Sequence, residues 1–210
     1  MERTPGMLVA LSLSVITLCA CQTKSVTPEP KPQPAAQAPA KNPYKPGTWE
    51  YENHAGVEAL SASNWDEAES HLLKALNIAE SSNDNGTVAA TLLNLSSAYE
   101  GKQMYAESLP LLNRAVKLFA RAYGTDYRGV AVALDRMGKI LIKEERFDEA
   151  IPIFRRCIKV EEAPKQVDYD ALIDTLHSYQ VALRRTRGDV EANQIDEQIK
   201  QFQAKTKKAE

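Results

Sequence analysis

The segment Asn64-Trp65-Asp66-Glu67-Ala68 (residues 64–68) is followed further along the chain by two similar segments. Residues 104–108 (MYAES) and 146–150 (RFDEA) align with it, so that three aromatic residues stand 40 and then 42 positions apart. Other positions keep the same spacing. These sets are Trp65, Tyr105, Phe147; Gly56, Ser96, Gly138; Ala68, Ser108, Ala150; Leu72, Leu112, Phe154; and Ala75, Ala115, Cys157. A self-similar period of this length indicates stacked structural repeats.

Each repeat has the pattern of a helical hairpin. Apolar residues recur at helical spacing, small residues allow two antiparallel helices to approach closely, and the aromatic residue is expected to fill the turn between them. Gly101, Gly124 and Gly188 stand where helices are expected to end. A further step of 42 reaches Gln180 and Asp189, a degraded fourth copy. The sequence therefore predicts an all-α solenoid over residues 49–206, with three clear units and a degraded C-terminal one; an irregular helical bundle is the alternative.

This pattern resembles the tetratricopeptide repeat, whose usual unit is 34 residues. The longer spacing here is similar to that of the long-helix repeats of kinesin light chains. Pro110 and Pro152 each follow their aromatic residue by five positions, early in the second helix. The segment from Tyr123 to Tyr127 (YGTDY) resembles the Gly-x-Asp-His linker of those repeats, with Tyr127 in place of histidine. The resemblance implies a noncatalytic module that holds an extended peptide or a helix in a concave groove lined by the first helix of each hairpin.

The N-terminal residues predict an export signal. Met7 to Leu18 is an apolar stretch of twelve residues, shorter than the roughly 20 that span a membrane. The residues Leu18-Cys19-Ala20-Cys21 then resemble a bacterial lipobox, which predicts a signal peptide over residues 1–20 and lipidation of Cys21. An ordinary secretory signal cut nearby, with Cys21 left as a free thiol, is the alternative. Gln22 stands where aspartate would resemble an inner-membrane retention signal, so we expect the periplasmic face of the outer membrane.

A proline-rich tether is predicted over residues 21–48. Seven of the eleven prolines fall between Pro28 and Pro46, and the segment has too few large apolar side chains to offset the ordering of its backbone. We expect a disordered spacer between the lipidated cysteine and the repeats. A proline-rich ligand for a small recognition domain is the alternative.

Charge and motif content argue against catalysis and against nucleic-acid binding. The 26 basic and 28 acidic residues nearly cancel, which is unlike the basic surface that nucleic acids require. The three histidines, His54, His71 and His177, have no second ligand at metal-binding spacing. The chain has no glycine-rich phosphate loop and no nucleophile elbow. We therefore predict no catalytic residue, no metal and no cofactor.

The groove-facing residues are those of each first helix that point away from its partner helix. The predicted partner-binding residues are Asn53, His54, Asn94, Ser97, Arg136, Lys139, Lys143 and Arg184. The C-terminal half of this set is basic, which suggests a partner with an acidic segment or a C-terminal carboxylate. The alternative is that these cations only solubilise the surface, some of them paired with Asp135 or Glu144.

The predicted function is that of a noncatalytic, membrane-anchored adaptor that binds a protein or peptide partner in the bacterial cell envelope. A pilotin-like assembly factor for an outer-membrane pilus or secretion system is a more specific alternative. A helical-scaffold envelope enzyme is a remote one, since it would need a carboxylate with a raised pKa in an apolar groove.

Overall fold

The computed structural model describes residues 42–163, 167–186 and 188–209, with side chains up to Thr206. The predicted signal peptide, Cys21 and the tether as far as residue 41 lie outside these residues. The described part consists of α-helices joined by short turns, without a strand. The helices are α1 (Trp49–Ser61), α2 (Trp65–Ser82), α3 (Asn85–Gly101), α4 (Tyr105–Tyr123), α5 (Arg128–Lys143), α6 (Phe147–Glu162), α7 (Tyr169–Arg185) and α8 (Asp189–Ala209).

The helices form four consecutive hairpins, α1–α2, α3–α4, α5–α6 and α7–α8, each packed on the next. The first helices of neighbouring hairpins also pack on one another, α1 on α3, α3 on α5 and α5 on α7. Within the described residues the second helices do not meet in this way. The stack therefore curves, with α1, α3, α5 and α7 on its inner side. The prediction of an all-α solenoid with a degraded fourth unit is confirmed.

Small residues let the two helices of a hairpin approach closely, as predicted. A Cβ atom on Gly56 would lie 2.6 Å from Cγ of Leu72, and one on Gly138 would lie 2.5 Å from Cζ of Phe154. Ser96, the equivalent residue of the second hairpin, is fully buried and its carbonyl accepts a 3.3 Å hydrogen bond from the Ser108 hydroxyl. A larger side chain at these positions would force the helices apart.

The turns inside the first three hairpins each depend on a left-handed residue two positions before the aromatic. Ser63, Gln103 and Glu145 have φ of 59°, 60° and 57°. The next N–H then bonds to a carbonyl five residues back, 2.8 Å in all three turns, an arrangement that satisfies the orphan carbonyls of a helix end. Gly124, with φ of 97°, ends α4 as predicted.

The aromatic residues reach further than the sequence suggested, because each contacts the last residue of the next first helix. A Cβ atom on Gly101 would overlap the Trp65 indole, which explains the glycine at the end of α3. In the next two hairpins the equivalent contacts are cation–π: Lys143 Nζ lies 5.5 Å from the Tyr105 ring centroid, and Arg185 Cζ lies 5.8 Å from that of Phe147. These residues therefore connect consecutive hairpins as well as marking the turns.

The fourth hairpin replaces the small-against-large contact by a polar one. Gln180 stands in register with Gly138, and Asp196 stands in register with Phe154. The Gln180 amide donates to the Asp196 carboxylate and, at 3.3 Å, to the carbonyl of Ala192. This hairpin therefore keeps the repeat geometry with different chemistry.

Side-chain caps start three of the four first helices. Thr48, Asp84 and Asp168 each accept a hydrogen bond from a backbone N–H in the first turn of α1, α3 and α7, which satisfies donors that the helix leaves free. No helix in the described residues combines the length and the apolar character needed to cross a membrane.

Candidate partner-binding groove

Three positions on every first helix lie on the inner face of the stack, and they are equivalent from one repeat to the next. Seven of the eight predicted partner-binding residues lie on this face or beside it. The residues at these positions are Asn53, His54, Val57 on α1; Leu93, Asn94, Ser97 on α3; Asp135, Arg136, Lys139 on α5; and His177, Ser178, Val181 on α7. Arg184 lies one turn further along α7. We call this surface the groove.

The N-terminal half of the groove is uncharged where α1 meets α3. The Asn94 amide nitrogen donates a 2.9 Å hydrogen bond to Asn53 Oδ1. The two predicted residues are thus brought together. The bond uses one donor of Asn94 and the oxygen of Asn53, so the Asn94 oxygen and the Asn53 NH₂ group can still bond to a peptide backbone.

Residues 42–48, grouped with the tether by sequence, contact α1 at the rim of the groove. The Asn42 amide donates to the carbonyl of Tyr51 at 3.0 Å. The Tyr44 ring stands edge-on to the ring of His54, with centroids 5.5 Å apart. Tyr44, His54 and Val57 line a recess of about 260 Å³ together with Trp49, Glu50 and Asn53. The sequence repeat could not reveal this contact of Tyr44, because the residue precedes the first repeat.

Arg136 occupies the junction of α3 and α5, where its partners belong to the preceding hairpin. Its Nη1 donates to the carbonyl of Leu93 at 2.7 Å, and its Nε donates to Glu100 Oε1 at 2.9 Å. Arg136 and Ser97 also line a shallow recess of about 500 Å³ beside Trp65. Arg136 therefore helps to hold two hairpins together. The sequence did not identify Glu100 as a partner of Arg136, from which it lies 36 positions away.

The remaining predicted cations also have partners within the chain. Lys139 Nζ lies 2.8 Å from Asp135 Oδ2, and Arg184 Nη2 lies 2.8 Å from Asp196 Oδ2. Lys143 stands over the Tyr105 ring, at the end of α5. The hydrogen bond from Gln180 and the charge of Arg184 lower the pKa of Asp196, so the acidic partner of Arg184 stays ionised. The positive charge of the C-terminal half of the groove is thus largely balanced by other residues of the same chain.

Exposed valines complete the groove. Val57 on α1 and Val181 on α7 share one register position and are 39% and 45% exposed. They lie at opposite ends of the groove, with Ser97 and Lys139 between them at the same position. Among the described residues no group of three or more histidine, cysteine or carboxylate side chains is arranged to hold a metal ion.

A model of the tetratricopeptide repeat family matches residues 87–163, which include most of α3 and all of α4 to α6. Residues 87–163 thus match the tetratricopeptide repeat. No curated protein matches its sequence.

Solved structures of kinesin-light-chain type share the fold. A Podosopora anserina protein, described as a kinesin light chain with nearly identical TPR-like repeats, is 16% identical and has a TM-score of 0.62, with 75% of this chain and 76% of that chain covered. BtubC (BKLC) from P. vanneervenii is 16% identical and has a TM-score of 0.71, with 76% of this chain and 64% of that chain covered. The prediction of tetratricopeptide-type repeats with the long-helix fold of kinesin light chains is confirmed.

Proposed function

We propose that this protein is a noncatalytic adaptor that binds an extended segment of a protein partner in the groove. The observation that carries the proposal is the Asn53–Asn94 amide pair, which presents a donor and an acceptor on the inner face between two hairpins. Tetratricopeptide-repeat proteins are typically interaction scaffolds without catalytic activity.

The groove has the length and chemistry to hold an extended peptide. Four first helices spaced about 8–10 Å apart give a groove of about 30 Å, which is about nine residues of an extended chain. Amide groups can bond to a peptide backbone, while Val57 and Val181 offer apolar contacts near the two ends. Backbone bonds with pockets for alternate side chains are a known mode of recognition of extended peptides.

We further propose that an acidic segment of the partner lies against the C-terminal half of the groove. Lys139 and Arg184, whose side chains are 42% and 53% exposed, can exchange their partners in the chain for a carboxylate of a peptide. Arg136 is less suited to this role, because it is only 18% exposed and bonds to both Glu100 and a backbone carbonyl.

The experiment selects peptide ligands for the chain lacking residues 1–20 from a random library and measures their affinity by fluorescence anisotropy. Asn94→Ala is compared with Asn113→Ala, the same substitution at an exposed position on α4. We expect Asn94→Ala to weaken binding about five- to tenfold, the effect of one or two hydrogen bonds, and Asn113→Ala to leave it unchanged. Equal affinities for both variants and the parent would refute groove binding.

Cellular location is the second part of the proposal. The apolar stretch from Met7 to Leu18, with Cys21 three positions later, supports export, lipidation of that cysteine and attachment by the proline-rich tether to the periplasmic face of the outer membrane. Metabolic labelling with a fatty acid tests this. The parent chain should incorporate the label and Cys21→Ser should not, whereas a parent chain without label excludes the lipid anchor.

A further inference from the structure

At the junction of the third and fourth hairpins, a carboxylate occupies a repeat position that is apolar in the first two hairpins. The position is Ala79 in the first hairpin and Phe119 in the second, both almost fully buried. In the third hairpin it is Glu161, in the last turn of α6. The side chain is largely buried there, although the repeat would accommodate an apolar residue.

Groups from three helices surround this carboxylate. The hydroxyl of Thr175 on α7, itself 1% exposed, donates to Glu161 Oε1 at 3.1 Å. Cys157 lies one turn earlier on α6, with Sγ 4.0 Å from the Thr175 oxygen, and its thiol donates to the carbonyl of Ala131 on α5. Asp135 and Lys139 on α5 are near enough for their charges to act on Glu161, and Lys139 is already bonded to Asp135 at 2.8 Å.

Two oxygen atoms of the cluster lack a hydrogen bond. Glu161 Oε2 and Asp135 Oδ1 are both buried, and neither has a partner within the part of the chain that the structure describes. Two ionised carboxylates in this setting would each be partly desolvated and would repel one another. A proton on Glu161 removes the second charge, so the arrangement favours the neutral acid.

The electrostatic environment also favours the protonated form of Glu161. Burial, with smaller contributions from Asp135 and Asp168, raises the pKa of Glu161 to about 7, against the opposing effects of the Thr175 hydrogen bond and Lys139. Asp168, at the start of α7, lies 3.1 Å from Arg128 on α5, so that cation is engaged there.

We propose that the docking of the fourth hairpin onto the third is proton-dependent, with Glu161 protonated when α7 packs on α5 and α6 and with α7 and α8 loosened when that proton is lost. The inference concerns the stability of the fourth hairpin and does not depend on peptide binding. Because this hairpin carries Val181 and Arg184, the C-terminal end of the groove would be best ordered under mildly acidic conditions.

The expected pH dependence has a definite sign. The folded state binds the Glu161 proton more tightly than the unfolded chain, in which glutamate titrates at about pH 4.5. The contribution of this group to stability is therefore full below about pH 4.5, falls as pH rises towards 7, and stays at its low level above that.

The experiment measures thermal unfolding of the chain lacking residues 1–20 between pH 5 and pH 8 for the parent and for Glu161→Gln. The control is Glu162→Gln, which neutralises the exposed neighbouring residue. We expect the melting temperature of the parent and of the control to fall by several degrees over this range. Glu161→Gln should lack this fall and should melt higher than the parent at pH 8. A fall of the same size in Glu161→Gln would overturn the proposal.

Hydrogen exchange of the parent chain locates the effect and does not depend on any variant folding. After correction for the intrinsic rates, amides of α7 and α8 should lose protection at pH 8 relative to pH 6, while those of α3 and α4 should keep it. Uniform loss over all helices, or no loss in α7 and α8, would contradict a proton-dependent junction.

Discussion

The junction between the second and third hairpins and the junction between the third and fourth use the same geometry with different chemistry. The first is an apolar cluster that runs without interruption through α4 and α5, including Val116, Phe119 and Leu134. The second retains apolar residues such as Leu172 and Leu176, but polar groups occupy several repeat positions. At the junction itself Glu161 is in register with Phe119, and inside the fourth hairpin that docks there Gln180 and Asp196 are in register with Gly138 and Phe154.

Tyr179 shows how the polar junction is held together. This residue is in register with Met137 and is 2% exposed. Its hydroxyl donates to Glu191 on α8 at 2.5 Å and accepts from Arg155 Nε on α6 at 2.6 Å. Burial and the bond to Glu191 raise the pKa of Tyr179 to about 12, and the same bond lowers the pKa of Glu191. Repeat geometry thus tolerates polar substitutions when they bond to one another.

The polar contacts lie at the C-terminal end of the described stack. An internal hairpin is covered on both sides, so its contacts are dry and favour apolar groups. Within the described residues the fourth hairpin packs on the third alone, and its outer helix α8 is rich in polar residues. The charged partners in these contacts, Arg155, Glu191 and Asp196, stay partly exposed and lose less by desolvation.

The largest contrast is expected at the matched pair Phe154 and Asp196. Phe154→Ala removes a fully buried ring and should lower the free energy of unfolding by about 3–5 kcal/mol. Asp196→Ala should lower it by much less, because this carboxylate is partly solvated. Urea unfolding of both variants measures the difference. Equal losses would show that the two hairpins pack alike.

Gly138 and Gln180 provide the next contrast. Gly138→Ala places a methyl group 2.5 Å from the Phe154 ring, and we expect a net loss of about 1–2 kcal/mol even though alanine favours helix. The control is the same substitution in a Phe154→Leu background, where the smaller side chain leaves room and the loss should shrink. Gln180→Ala should lose about 1 kcal/mol, the value of its hydrogen bonds. An increase in the urea midpoint for Gly138→Ala would refute the close-approach explanation.

Removing the Tyr179 hydroxyl should weaken only the polar junction. The free energy of unfolding should fall by less than it does when the Phe154 ring is removed. Tyr179→Phe keeps the ring and removes bonds to two charged groups, for an expected loss of about 1 kcal/mol. Tyr169→Phe is the matched control, because that ring packs on Phe202 and its hydroxyl makes no hydrogen bond within the described residues. Similar losses in the two variants, measured by thermal unfolding, would rule out a specific role for the Arg155–Tyr179–Glu191 contact.

The smallest effect is expected on the solvent side of the last helix. Lys200 and Glu197 form an ion pair of 2.7 Å, but both side chains are exposed. Lys200→Ala should leave the urea midpoint unchanged, because exposed pairs contribute little. A clear loss would mean that surface charge, rather than the buried polar contacts, stabilises the fourth hairpin.

The hairpins could be predicted from sequence because the small and aromatic positions recur in register. The repeat domain was predicted over residues 49–206, and the described helices run from Trp49 to Ala209. The direction of the aromatic contacts could not be predicted. It depends on where the end of the next first helix lies, which is a property of the stacking.

The groove was predictable as a surface but not as a set of contacts. Periodicity places Asn53, Asn94 and Arg136 on one face of their helices, and the structure places them there. The bond between Arg136 and Glu100 joins residues from different repeats, so it depends on the separation of α3 and α5. Periodicity carries no information on that distance.

Site-specific photocrosslinking tests the central claim, that the partner is held on the inner face, most directly. A benzophenone amino acid is placed at Val57 or Val181 in the groove, or at Leu73 on α2, which is similarly exposed at 46%. Each variant is irradiated with a peptide selected from the random library. We predict crosslinked product from Val57 and Val181 and none from Leu73. Product from Leu73 with none from the two groove positions would contradict the assignment of the groove as the binding surface.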